Sequence, residues 1–193
     1  MFLRALAALT AAAVLPVSAL AQVPAPQSAP APSATPATPP APPHRPLPAE
    51  VVDFFAGAWT GEGQFVRTGK PVASTYRFTP AYGREALSVE HVELPPATFA
   101  WLGLMTLDGR SGDLVLMIAS NHGGGGRLMR SSTGWNGDVL IFEAAELQAA
   151  FARERLIFTR LGADSFKAAY EMSRDDGQTW RTGDEQTFTR SAN

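Results

Sequence analysis

The chain has 193 residues, a formal net charge of −2 and no cysteine. Near-neutral charge excludes a strong electrostatic claim on nucleic acid. The missing thiol excludes disulfides, thiolate metal sites, iron–sulfur clusters, a cysteine nucleophile and a lipid-modified cysteine anchor. No nucleotide-binding or hydrolase motif is present.

Residues 1–21 read MFLRALAALTAAAVLPVSALA. Arg4 supplies a positive leading region, Ala5–Val17 is apolar, and Ala19 and Ala21 give a small-x-small cleavage site, so a secretory signal peptide over 1–21 is predicted. The apolar run is short for about 30 Å of hydrocarbon, and Pro16 interrupts its end, so no membrane span is expected in the mature protein. Without a twin arginine, general export of an unfolded chain is expected, to the periplasm or the exterior.

Gln22–Ala49 holds 11 of the 16 prolines and seven alanines, whereas all 17 glycines come later. Proline lacks the amide hydrogen that helices and sheets need. Residues 22–49 are therefore predicted to be a disordered, partly polyproline-II spacer. A tether or a ligand for a proline-binding module is the functional counterpart of that reading.

The rest, 50–193, is predicted to be one all-β domain. Pro48–Gly57 has the start and stop of a two-turn helix. Ten strands then follow near Trp59–Val66, Val72–Thr79, Ala86–Glu93, Phe99–Leu107, Leu114–Ala119, Arg127–Gly134, Val139–Ala144, Arg153–Thr159, Phe166–Met172 and Glu185–Arg190. Asp108-Gly109, Asn136-Gly137 and Asp176-Gly177 punctuate them, pairs that tolerate the positive φ of tight hairpins. Consecutive strands of this kind close their edges as an antiparallel up-and-down barrel. Charges inside most strands, such as Glu62, Arg77, Glu90 and Glu143, argue against a lipid-facing barrel.

Phe55-x-Gly57-x-Trp59-x-Gly61-x-Gly63 resembles the opening of lipocalin- and nitrobindin-type calycin barrels. Tyr170–Trp180 and Gly183–Arg190 resemble the ending of secreted bacterial proteins of the domain of unknown function 1579 family. The resemblance covers roughly residues 50–190 and implies a closed lipocalin-like barrel with a short helix at one end and no established activity.

Trp59 lies between glycines on the first strand, which let a ring or backbone approach. It reads as a plug of the barrel floor, as similar barrels use their first-strand tryptophan, or as a cavity wall. Leu87, Val89, His91 and Glu93 share one strand face, opposite Glu90. His91 could shuttle protons or line a pocket, yet zinc needs more ligands than His91 and His122 supply. Haem-binding barrels that the chain resembles use a late histidine, and none follows His122, so no haem, metal or other cofactor is expected. Ser120–Arg127, with four glycines, reads as a rim loop rather than a phosphate cradle, since a strand follows and no matching lysine exists. Met105, Met117 and Met129 fall on successive strands and suit an adaptable lining. The serines lack a base-plus-acid pattern, and no acidic pair stands out for glycoside cleavage, so no catalytic residue is assigned.

Two functions remain. The first is binding of a small apolar or amphipathic molecule inside the barrel, with Trp59, His91, Trp101, Met105, Met129 and Tyr170 near it. The second is a cofactor-free isomerase or hydrolase using His91 as acid or base. Contact of His91 with a carboxylate inside a cavity would favour the second. The sequence leaves oligomeric state open. Finally, a type I′ turn on Asn136-Gly137 predicts pairing of Trp135 with Asp138, Leu140 with Thr133, Phe142 with Ser131 and Arg130 with Glu143, the last as an ion pair.

Overall fold

The computed structural model describes residues 45–122, 126–144 and 153–192. The expected signal peptide, most of the Pro/Ala-rich segment and Gly123–Gly125 of the rim loop lie outside the described residues. In the described residues, helix α1 (Ala49–Phe55) leads into β1 (Gly57–Phe65), β2 (Lys70–Ala81), a 3-10 turn (Tyr82–Arg84), β3 (Ala86–Glu93), β4 (Ala100–Leu107) and β5 (Leu114–Ser120). The chain continues as β6 (Gly126–Ser131), the two-residue β7 (Trp135–Asn136), β8 (Val139–Ala144), β9 (Arg153–Gly162), β10 (Ser165–Ser173) and β11 (Arg181–Arg190).

The order around the sheet is β6-β5-β4-β3-β2-β1-β11-β10-β9-β8, with β7 on β8, and β6 pairs with β8 to close the ring. Every pairing is antiparallel. The domain is thus a closed ten-strand barrel with one short helix, as the alternation of the strands requires: in β3 Leu87, Val89 and His91 point in, while Ser88 and Glu90 point out. The packed core also takes in Leu47, ahead of Glu50, and the Leu47 amide donates to the Arg84 carbonyl at 3.1 Å.

One end of the barrel is filled by aromatic rings. Phe55 packs on Phe78, Trp135, Phe158 and Phe166, and Phe54 touches Trp59 and Trp135. Arg190 holds the helix there, since its fork donates to the carbonyls of Ala56 at 2.7 Å and Phe54 at 2.8 Å. These are carbonyls at the helix C-terminus, where a cation is favoured. Arg160 closes the same end, its guanidinium 3.7 Å over the Trp135 ring.

Three turn expectations need correction. The β7–β8 loop is Gly137-Asp138, because Asn136 pairs with Val139 and Trp135 with Leu140. Only Gly137 has positive φ (59°), which suits a turn with glycine first, of the II′ kind, instead of I′. Arg130 does lie opposite Glu143, with Met129 opposite Ala144. The registers at the two ends of this hairpin therefore differ, and residues 132–134 absorb the difference. Arg130 makes its ion pair with Asp108 at 2.9 Å, and Glu143 pairs with Arg153 at 2.9 Å, so the expected ion pair is absent. Asp108-Gly109 opens a six-residue loop between β4 and β5, where Asp108 accepts from the amides of Arg110 and Ser111. Asp176-Gly177 sits in the long β10–β11 loop, both residues at positive φ, with Asp175 and Ser173 holding the loop by side-chain bonds. The tight two-residue connection that the sequence reading missed is Ala163-Asp164, between β9 and β10.

Candidate functional site

Alternation along β2, β3, β4, β10 and β11 brings a set of side chains to the end of the barrel opposite α1. They enclose a cavity of about 400 Å³. Its aromatic walls include Tyr76, Phe99, Trp101 and Phe188, and its polar groups include His91, Glu93, Asp184 and Gln186. Arg127, His122 and Tyr170 lie on the same lining. Volume and mixed lining fall in the range of small-molecule sites. A wider depression of about 940 Å³ shares Phe65, Tyr170 and Asp184 with it, and is bounded by the β1–β2 turn (Arg67, Thr68) and the β10–β11 loop (Arg174, Asp175, Thr179).

The polar groups are organised. The Ser74 hydroxyl donates to Gln186 Oε1 at 2.7 Å. With its carbonyl so engaged, the Gln186 amide is left for Asp184, to which it hydrogen-bonds. Burial pushes the Asp184 carboxyl up from its ordinary range, and that bond only partly offsets it. Glu93 is also pushed up, by burial first and then by the charge of Asp184; the amide of Phe99 and the charge of His122 act the other way. The Tyr76 hydroxyl is raised by burial and by both carboxylates. Tyr170 is raised by burial and by Glu154, and Glu154 lies 3.5 Å from the guanidinium of Arg127.

His91 is 5 % exposed and lies between Tyr76 and Trp101, with ring centroids 4.5 and 5.6 Å away. Burial lowers its pKa to about 4, so the imidazole is neutral at pH 7. Among the described residues its Nδ1 has no hydrogen-bond partner. His91 therefore lines a cavity alongside two carboxyls, while that nitrogen bonds to neither.

Of the six expected ligand neighbours, His91, Trp101 and Tyr170 line the cavity. Trp59, Met105 and Met129 do not; all three are buried in the hydrophobic core. Trp59 is the floor plug: its Nε1 donates to the Phe55 carbonyl at 2.8 Å and its ring faces Phe166 and Arg190. Met117 is 41 % exposed on the outer face of β5, because Leu116 takes the inward position between Met105 and Met129. Glu93 was readable from its shared face with His91. Asp184 and Gln186 were missed because β11 carries polar residues on both faces, so alternation there gives no inward direction. Among the described residues no group of His, Asp and Glu side chains is placed to hold a metal ion, and no helix is long and apolar enough to cross a membrane.

No family model matches the sequence, and no curated protein matches it. Among solved structures the chain is similar to one described as "Structure of EF1p2_mFAP2b bound to DFHBI", at 14 % identity, over 72 % of this chain and 94 % of that one, with a TM-score of 0.35.

Proposed function

We propose that the protein is an exported binding protein that holds one small amphipathic molecule in the open end of its barrel. The observation that carries this reading is the cavity of about 400 Å³ with aromatic walls and a few fixed polar groups, at one end of a barrel whose other end is solidly packed. Such a division between a rigid packed half and a lined, open half is what a preformed ligand site needs. The neutral imidazole of His91 adds hydrogen-bonding capacity without charge. A general acid or base needs an orienting partner and a pKa near the working pH, so the binding reading draws more support from this residue than the enzymatic one.

Native mass spectrometry of protein purified from its own envelope tests the reading. The expected spectrum contains a one-to-one adduct that is lost at high activation energy. Ligand-free protein that also takes up no amphipathic probe would overturn it. The signal-like N-terminus and the resemblance to the secreted barrel family support export to the periplasm or exterior. Processing after Ala21 is expected, with Gln22 as the first mature residue, and an intact mass retaining residues 1–21 would contradict it.

A further inference from the structure

The cavity lining carries two carboxyls, Glu93 and Asp184, and one arginine, Arg127. Arg127 is already engaged with Glu154. Among the described residues, Glu93 and Asp184 form no ion pair with lysine or arginine, although both line the cavity. Glu93 is 9 % exposed as a whole residue. Between the aromatic walls the buried His91 leaves Nδ1 without a partner among the described residues. Two carboxyls on one aromatic-walled chamber lack a group that donates several hydrogen bonds and carries positive charge.

We propose that this cavity takes an organic amine, its ammonium group held by Glu93 and Asp184 and its apolar body lying against Tyr76, Trp101 and Phe188. The proposal rests on the reading of the cavity as a ligand site and names the ligand's charge class. An ammonium supplies three donors and one positive charge in a compact group. The rings that would flank it present negative faces, which attract cations further. Burial and mutual repulsion raise both carboxyls, which disfavours their charged forms in the absence of a cation. An ammonium beside them would favour the charged forms again. Tyr76, Tyr170, His91 and His122 also face this space, and the first three are neutral at pH 7 by the direction of their shifts. Arg67, Arg174 and Arg181 stand at the outer depression, all three exposed, where salt screens their opposing charge more than it screens the buried pair.

Calorimetric titration of the full chain with three probes of matched shape tests this: phenethylamine, phenethyl alcohol and hydrocinnamate. The amine is expected to bind about tenfold more tightly than the alcohol, and the carboxylate more weakly than either. Amine affinity should also weaken as the pH is lowered and the carboxyls take up protons, whereas alcohol affinity should not. In Glu93→Gln and in Asp184→Asn the amine's advantage should shrink severalfold while alcohol affinity is kept, which also shows that the variant is folded. Equal affinities for amine and alcohol would overturn the charge assignment and leave the binding reading standing. A preference for the carboxylate would do the same and shift the emphasis to the rim arginines. Binding of none of the three would overturn both. The wild-type comparison decides the matter even if a variant fails to fold.

Discussion

Gly61 leaves no space for a methyl group. A Cβ built there would lie 2.4 Å from two atoms of the Phe188 ring, and that ring is itself stacked on Phe166 at 4.9 Å. The ring cannot turn aside without unstacking, so Gly61→Ala is expected to cost about 1–3 kcal/mol. Urea titration should show this as a lower midpoint with an unchanged slope. Gly162→Ala is the control: a Cβ there would meet nothing within 4 Å, and stability should stay within about 0.5 kcal/mol of wild type. His91 gives a second test at this scale. Its folded pKa of about 4 lies below the ordinary 6.5. As pH falls from 6.5 towards 4, the unfolded chain takes up a proton that the folded protein refuses. Stability present above pH 6.5 is then lost, by up to about 3 kcal/mol. His91→Phe removes that term, so wild type should lose stability relative to the variant as the pH is lowered from 7 to 4. An unchanged difference across that range would show that the imidazole titrates normally.

At the scale of elements, strands were more legible in the sequence than the connections between them. Branched and aromatic residues bounded by turn formers mark β3 and β8 with the bounds expected, and most other strands within a few residues. Turn geometry was read less well because Asn-Gly and Asp-Gly pairs declare a willingness to turn but not which residues occupy its centre. In the β7–β8 hairpin the left-handed residue is Gly137, and Asn136 is a paired strand residue. Gly137→Ala should therefore cost about 1–2 kcal/mol, as an L-residue forced to positive φ, while Asn136→Ala should cost less than about 0.5 kcal/mol. Comparable losses from the two substitutions in a thermal melt would restore the turn centred on Asn136-Gly137. The candidate site divides in the same way. Single-face alternation exposed His91 and Glu93, and the aromatic Trp101 and Tyr170 were visible by type. The methionines misled because a side chain suited to a flexible lining is equally suited to a packed core. Asp184 and Gln186 become site residues only once β11 is set beside β1 and β10, a long-range pairing that local sequence does not encode.

Across the whole molecule, the barrel places its charge burden at one end. Glu93 and Asp184 hold protons more tightly when folded than when unfolded, so folded stability decreases as the pH rises from the ordinary carboxylate range through their raised values. Asp184→Asn is expected to be more stable than wild type at pH 7 and little different near pH 4; equal effects at both would show that Asp184 titrates as an exposed carboxyl. The hydrophobic half at α1 offsets this cost, so the packed core and the lined cavity lie at opposite poles of the barrel. The ring itself is uneven. Among the described residues, β1 and β2 are zipped by nine residue pairs and β6 and β8 by two, Met129 with Ala144 and Arg130 with Glu143. Among the described residues this is the shortest pairing around the ring. Hydrogen exchange should reveal it as fast-exchanging amides along β6 and the end of β8 while β1, β2 and β11 stay protected.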